Sequence, residues 1–294
     1  MLGWRLILGP VLIAALIGLF WLDSRAGETA PILAVLALAL ALRSTWELLQ
    51  LLRTRFQPQF AVTANAVLAV VAANWLFLLQ GPAPVAAFAS RLGPVMLVFA
   101  LAVMALFISG LARYTAPGKS IESLGAELVT LAYVGVFLSL TIQLRWIDAP
   151  VLGYLPLSSL IVATKCGDTA AYFVGRQFGK TKLCPLISPG KTRAGAVGAL
   201  LGAAAGSYLW IDWLAPLMFG TRPGAWHWAA LYGLVLGLVG LVGDLAESLI
   251  KRDVGQKDSA PLLPGFGGLL DLLDSILFTG PVAYLLWLIL PLAW

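Results

Sequence analysis

The sequence predicts an all-α integral membrane protein that is polytopic, with about nine transmembrane helices. Three observations predict it. First, 60% of the 294 residues are Ala, Val, Ile, Leu, Met, Phe, Trp, Tyr or Cys and only 11% are charged, where a soluble domain carries roughly 45–50% apolar and about 25% charged residues. A mean hydropathy of +0.92 excludes a disordered chain too, since disordered segments are poor in apolar residues. Second, the apolar stretches run about 17–25 residues, the length of a helix across a hydrocarbon core, rather than the alternating segments of a barrel strand. Third, lysines and arginines concentrate in alternate loops.

The spans are expected near residues 4–22, 31–52, 60–79, 94–112, 124–142, 152–175, 195–214, 226–246 and 272–292. The first reads as a retained anchor, because no small-residue cleavage site follows it. The second is the weakest, interrupted by Arg43 and Glu47 and amphipathic at its end. With the N-terminus inside, 14 cations (Arg5, Arg43, Arg53, Arg55, Arg113, Lys119, Arg176, Lys180, Lys182, Lys191, Arg193, Lys251, Arg252, Lys257) fall in cytoplasmic segments. Only 4 (Arg25, Arg91, Arg145, Arg222) fall outside. That asymmetry predicts an N-in/C-out topology. It also accounts for the net charge of +5 without nucleic acid as a partner. Trp4, Trp21, Trp75, Trp146, Trp213, Trp226 and Trp294 stand near span ends, where interfacial aromatics belong. Cys166 and Cys184 form no CxxC and have a single histidine, His227, for company, which argues against a disulfide or a zinc site.

Two regions are expected. Residues 1–150 supply about five spans that act as scaffold, with Glu127 as their notable intramembrane charge. Residues 151–294 supply about four spans and two cytoplasmic loops, 176–193 and 247–271, where the chemistry concentrates. No internal repeat supports an inverted-repeat transporter.

The first chemical cluster begins at Lys165 and Asp168, three apart and so on one helical face. A self-neutralising ion pair is the plain reading. The sharper one notes that an ionisable residue within a span costs roughly 2.5–3.5 kcal/mol on insertion scales and marks functional paths. Downstream, Ser188-Pro-Gly-Lys191-Thr192 lacks the full phosphate-loop pattern, so as a P-loop it is weak. Its backbone N–H groups and one ammonium still suit phosphate oxygens.

The second cluster is stronger. Asp244, Glu247, Ser248 and Lys251 stand at i, i+3, i+4 and i+7, a polar stripe on an apolar helix. Arg252, Lys257 and Asp258 follow, then Gly265, Gly267 and Gly268, which permit a tight turn. Asp271 and Asp274 open the last helix on one face. Carboxylates from two helix ends, ringed by cations, suit Mg²⁺, whose remaining ligands are usually substrate phosphates. Phosphate-linked transfer needs mainly positioning and charge neutralisation, so the scarcity of His and Cys is no obstacle.

The run S-x-[apolar]-K-R-x4-K-D-x-[small]-x2-L-P-x-x-G-G-L-L-D-x-L-D from Ser248 to Asp274 resembles the phosphatidate cytidylyltransferase (CDP-diacylglycerol synthase) family. The D-T-x-A-Y-F-x-G-R-x-F-G-K stretch from Asp168 to Lys180 and the SPGKT at 188–192 are similar to the same family in the same order. The first 150 residues resemble it in hydropathy alone. The resemblance implies an integral membrane nucleotidyltransferase that makes CDP-diacylglycerol and pyrophosphate from CTP and phosphatidate, with Mg²⁺ and a second, monovalent cation as candidate cofactors. It implies a multi-pass protein of the inner cell membrane with its active site towards the cytoplasm. Membrane lipids are its surroundings, and a homodimer is among the assemblies allowed. By that resemblance Asp244 and Asp271 are metal-binding carboxylates with Asp274 and Asp168 beside them. Ser188, Lys191, Lys251, Arg252, Lys257 and Asp258 belong to the nucleotide and phosphatidate site. Ser248, Gly267 and Gly268 are counted with the substrate-binding residues, and Lys251 joins Asp244 and Asp271 in the catalytic group.

Three positions depart from the family pattern. Phe266 replaces the usual His before the glycine pair, Leu272 the usual Arg between the aspartates, and Ala194 the usual Glu after SPGKT-x. They leave open a CTP-dependent transferase acting on another lipid. From other classes, a transporter using the intramembrane charges and an inactive paralogue also stand as alternatives.

Overall fold

The computed structural model describes residues 2–79, 92–118, 120–257, 259–260 and 267–294. Asp258 and Phe266 lie outside the described residues, as do Arg91 and Lys119. The helices in chain order are α1 (Leu2–Ser24), α2 (Pro31–Leu52), α3 (Phe60–Ala72), α4 (Leu92–Arg113), α5 (Ser120–Thr130), α6 (Phe137–Gln143), α7 (Ala149–Leu152), α8 (Leu155–Phe178), α9 (Arg193–Tyr208), α10 (Ala215–Phe219), α11 (Trp226–Asp253) and α12 (Leu269–Ile289). One π-helical segment, Leu131–Val136, joins α5 to α6, and another, Leu209–Leu214, joins α9 to α10. Among the described residues, seven helical stretches are long and apolar enough to cross a membrane: Gly27–Leu52, Phe60–Leu78, Leu92–Arg113, Ser120–Trp146, Arg193–Phe219, Trp226–Asp253 and Leu269–Ile289. α8 lies where the sixth span is expected but carries Lys165, Asp168 and Arg176, and it falls outside that set. Of α1, Ala14–Ser24 counts as a shorter apolar helix.

The fold is nearly all α. The departure is a short antiparallel hairpin, β1 (Lys182–Cys184) with β2 (Ser188–Thr192), in the segment expected to be a plain loop. Lys182 pairs with Thr192 and Cys184 with Ser188, with an irregular register between them. Pro189 is tolerated because each strand of a two-stranded ribbon is an edge strand. β2 runs directly into α9. Thr192 caps that helix, its Oγ1 accepting the Gly195 N–H at 3.1 Å, as an N-cap threonine should.

The chain divides into two compact units. One comprises Met1–Gln143 and Val254–Leu272, the other Leu144–Asp253 and Leu273–Trp294. In the first unit, Leu48, Leu49, Val67, Val70, Leu106 and Leu131 are fully buried. Buried polar groups tie its helices together: Gln143 Nε2 donates to Asn74 Oδ1 at 2.8 Å, and Asn74 Nδ2 donates to Ser139 Oγ at 3.0 Å. Such bonds act as glue where hydrocarbon offers polar groups no alternative. Glu127, the charge expected at membrane depth, is buried and accepts the Gln59 N–H at 2.8 Å and Arg113 at 3.1 Å.

The second unit rests on close approach of α8, α9 and α11. Gly198, Gly202 and Gly206 repeat every four residues along one face of α9. A Cβ at Gly198 would stand 2.8 Å from Val174 Cβ, and one at Gly237 on α11 would stand 2.9 Å from the Ala199 carbonyl oxygen. Small residues at this spacing let helix backbones touch, as in membrane helix pairs generally. Tyr232, wholly buried, shares a hydrogen bond with Ser159 Oγ at 3.1 Å, and Trp287 Nε1 donates to the same oxygen at 3.1 Å. Cys166 and Cys184 are free thiols.

Candidate active site

The residues singled out by the sequence fall into two groups, one in each unit. In the second unit, α8 carries Lys165 and Asp168, α11 carries Asp244 to Arg252, and α12 carries Asp274. Lys165 Nζ bonds Asp168 Oδ2 at 3.0 Å, the pairing that the i, i+3 spacing anticipates, and also reaches Ser275 Oγ at 3.5 Å. Ser275 Oγ in turn donates to Asp168 Oδ2 at 3.2 Å. Asp274 is 7% exposed, with Oδ1 accepting the Ser275 N–H at 2.5 Å. It feels the like charges of Asp244 and Asp168 and the opposite charge of Lys165. Three carboxylates from three helices thus form one electrostatic group. Asp271 is described below, with the first unit.

The SPGKT segment reaches this group. Lys191 Nζ forms an ion pair with Asp244 Oδ2 at 2.7 Å, so β2 delivers an ammonium to a carboxylate that the sequence places more than fifty positions away. Ser188 begins the same strand and is half-buried. Asp168 and Asp244 keep 46% and 40% of their side chains exposed, which leaves both within reach of a solute.

The polar stripe on α11 is present but turns partly inward. Ser248 Oγ approaches Asp244 Oδ1 at 3.5 Å, a marginal hydrogen bond. Glu247 is 1% exposed and Lys251 8%, and the two pair at 2.5 Å. Lys251 is therefore a buried cation held by a carboxylate. Arg252 Nε donates to the Ile187 carbonyl at 3.1 Å, tying the end of α11 to the hairpin turn.

In the first unit, Asp271 stands in the first turn of α12. Its Oδ2 accepts the Gly268 N–H at 2.7 Å, the Ser259 N–H at 3.1 Å and the Ser259 hydroxyl at 2.8 Å. The bond to Gly268 is half of a capping box, an acidic N3 residue reaching back to the N-cap N–H. Gly267 has φ +87°, and a Cβ there would stand 2.6 Å from Asp271 Oδ2. Only glycine meets both demands. A Cβ on Gly268 would collide with Ser259 Oγ and Glu47 Oε2. The glycine pair thus has a local reason here: it lets the chain close on Asp271. Lys257 is exposed in the same unit, and Asp258, named with it, lies outside the described residues.

Glu47, Ser259 and Ser275 were not singled out in the sequence as site residues, and Glu247 entered as a member of the polar stripe alone. Glu47 gave the one usable signal, a carboxylate interrupting an apolar span.

Among the described residues, no group of three or more His, Cys, Asp and Glu side chains stands ready to hold a metal ion. The side chains themselves are nevertheless of a chemical kind that can hold Mg²⁺. They offer hard carboxylate oxygens, and Mg²⁺ commonly takes one or two of these and fills the rest of its octahedron with water and phosphate.

Lys165 and Asp168 are expected to behave as a coupled pair. Lys165→Met should leave Asp168 without its ammonium and lower the unfolding temperature in detergent. Combined with Asp168→Asn, the loss of stability should be less than additive, as in a mutant cycle across a direct contact. Additive losses would deny the coupling.

A family model described as the cytidylyltransferase family matches residues 4–290, so the match extends through the first half, which resembled the family in hydropathy alone. A phosphatidate cytidylyltransferase of Brucella suis biovar 1 is 41% identical over 155 residues, 53% of this chain and 54% of that protein. One of Chlamydia pneumoniae is 38% identical over 169 residues, 56% of this chain and 54% of that protein. Uncharacterized protein YnbB of Escherichia coli strain K12 is 42% identical over 132 residues, 45% of this chain and 42% of that protein. The chain spans about half the length of these relatives. With the family model covering nearly every residue, the chain belongs to the cytidylyltransferase family.

Proposed function

We propose that the chain is a phosphatidate cytidylyltransferase that converts CTP and phosphatidate to CDP-diacylglycerol and pyrophosphate. The observation that carries the reading is the gathering of Asp168, Asp244 and Asp274 from three helices with Lys165 and Lys191 among them. Carboxylates interleaved with ammonium groups are what a site for polyphosphate and a divalent cation requires. The names of the Brucella and Chlamydia relatives support the choice of phosphatidate as acceptor.

In the reaction a phosphatidate oxygen, already anionic at neutral pH, forms a bond to the α-phosphorus of CTP while the α–β bridging bond breaks and pyrophosphate leaves. No general base is needed, which suits a site without histidine. Asp244, Asp271, Asp274 and Asp168 would hold Mg²⁺, which when bound neutralises developing charge on phosphate oxygens. Lys191, now on Asp244, offers its ammonium to a nucleotide phosphate. Ser188 lies beside it on β2. Lys251, Arg252 and Lys257 supply further positive charge for the leaving pyrophosphate. Ser248, Gly267, Gly268 and Asp258 complete the proposed substrate-binding set.

The reading includes nine spans, with α1 and α8 added to the seven apolar ones, an N-in/C-out topology in the inner membrane, and the chemistry in residues 151–294 on the cytoplasmic side, where CTP is. Cysteine labelling should therefore place Lys182 and Lys257 inside. Either one outside would overturn the topology and the cytoplasmic site. The decisive assay incubates purified protein with labelled CTP, Mg²⁺ and a panel of lipid phosphates. Label is expected in lipid with phosphatidate as the best acceptor. Preference for another lipid phosphate would transfer the reading to a sister enzyme, the outcome that Phe266, Leu272 and Ala194 would then explain. No incorporation with any acceptor would overturn it.

A further inference from the structure

Glu47 sits near the C-terminal end of α2, in the scaffold region, and is 0% exposed on a helix whose first twelve residues are wholly apolar. A buried carboxylate is expensive unless its oxygens are fully engaged, and these are. Oε1 accepts the Leu269 N–H at 3.0 Å and Arg43 Nε at 2.9 Å. Oε2 accepts the Leu270 N–H at 2.8 Å and faces Ser259 Oγ at 3.1 Å. Leu269 and Leu270 are the first residues of α12, whose opening N–H groups have no partner within the helix. The N-cap residue, Gly268, has no side chain to offer them. Glu47 does what a serine or aspartate at position 268 would ordinarily do, and Gly268 has to be glycine because Glu47 and Ser259 occupy the space of its Cβ.

The consequence reaches Asp271. Ser259 lies between the two carboxylates, its hydroxyl 3.1 Å from Glu47 Oε2 and 2.8 Å from Asp271 Oδ2. A hydroxyl carries a single hydrogen, so its orientation is set jointly by both acids. The end of α12 and the serine that touches Asp271 are both held by one side chain from α2. We propose that Glu47 is a positioning residue for Asp271, fixing that carboxylate through the α12 N-terminus and Ser259 so that it can serve the divalent cation; the proposal rests on the reading of Asp271 given above. Glu47, 0% exposed, acts through the groups it holds. Its task is to make a scaffold helix part of the active site.

The test uses the full chain in detergent micelles, with Mn²⁺ alone as a spectroscopic probe and Mg²⁺ in the transfer assay. Glu47→Gln is expected to weaken Mn²⁺ binding, read from the free-ion resonance signal, about tenfold or more. The Mg²⁺ concentration for half-maximal transfer should rise by the same factor, with the lipid KM within about twofold. Ser259→Ala should move both metal readouts in the same direction, and the double variant should fall short of the product of the two effects. If Glu47→Gln does not fold, Glu47→Asp, which keeps the charge beside Arg43 but withdraws it by one methylene, takes its place with the same expectation. Unaltered Mn²⁺ binding and Mg²⁺ response in the folded Glu47 variant, even with a lower unfolding temperature, would make Glu47 a helix cap and nothing more. Independent, fully multiplicative effects of Glu47 and Ser259 would also overturn the proposed route. Wild-type protein that neither binds Mn²⁺ nor transfers nucleotide would instead remove the reading of the site itself, and Glu47's role with it.

Discussion

Asp271→Asn is expected to lower cytidylyl transfer at least a hundredfold while the protein still folds. That factor corresponds to about 2.7 kcal/mol in the barrier. The expectation separates two tasks that the structure assigns to, or allows for, one side chain. As a cap, Asp271 Oδ2 holds the Gly268 and Ser259 N–H groups and the Ser259 hydroxyl. An asparagine oxygen can accept from the same donors, so the cap survives in weakened form, at a cost of about 1 kcal/mol typical of damaged N-terminal caps. As a ligand or counter-charge for a divalent cation, the carboxylate has no substitute in a neutral amide. Activity and unfolding temperature measured on the same preparation therefore part company if the proposed role is right. Residual transfer above about a tenth of wild type, a loss of less than about 1.4 kcal/mol, would leave Asp271 as a cap only.

How much of this was legible beforehand depends on the range of the interaction concerned. Helices α2, α4 and α11 follow from apolar length alone, which a membrane enforces more strictly than any local propensity. The Lys165–Asp168 pair follows from i, i+3 geometry on one helix. The hairpin at 182–192 did not follow, because strands of three and five residues are too short for alternation to register. Nor did the contacts that assemble the site. Lys191 meets Asp244, and Glu47 meets Leu270, only after the chain has folded. Glu47 was visible as a flaw in an apolar run, and reading it as a weakness in the span missed that a buried charge persists where something binds it. The stripe from Asp244 to Lys251 was legible as a face, but its burial was not. Periodicity says which residues point together and is silent on what they point at.

That burial gives the second large expectation. Lys251→Met should destabilise the protein by about 3–5 kcal/mol, because it leaves Glu247, 1% exposed, without its ammonium partner in a place where the carboxylate cannot be rehydrated. Against total stabilities of about 5–15 kcal/mol for folded domains, such a loss is large. It should appear as a sharp drop in unfolding temperature in detergent. Glu247→Gln alone should be damaging for the converse reason, an ammonium left in the same enclosure. Combined, the two changes remove both charges, and most of the lost stability should return, since a buried ion pair replaced as a whole by neutral groups is often close to neutral. Transfer activity is the quantity that decides what Lys251 is for. If its charge neutralises phosphate oxygens in the reaction, as proposed, the refolded double variant stays at least about a hundredfold slow, because a stable fold does not restore the missing cation. If activity returns together with stability, Lys251 is there for Glu247 and the phosphates are met by Lys191 and Arg252. A double variant as unstable as either single one would break the pairing itself and, with it, the account of why α11 buries two opposite charges at its end.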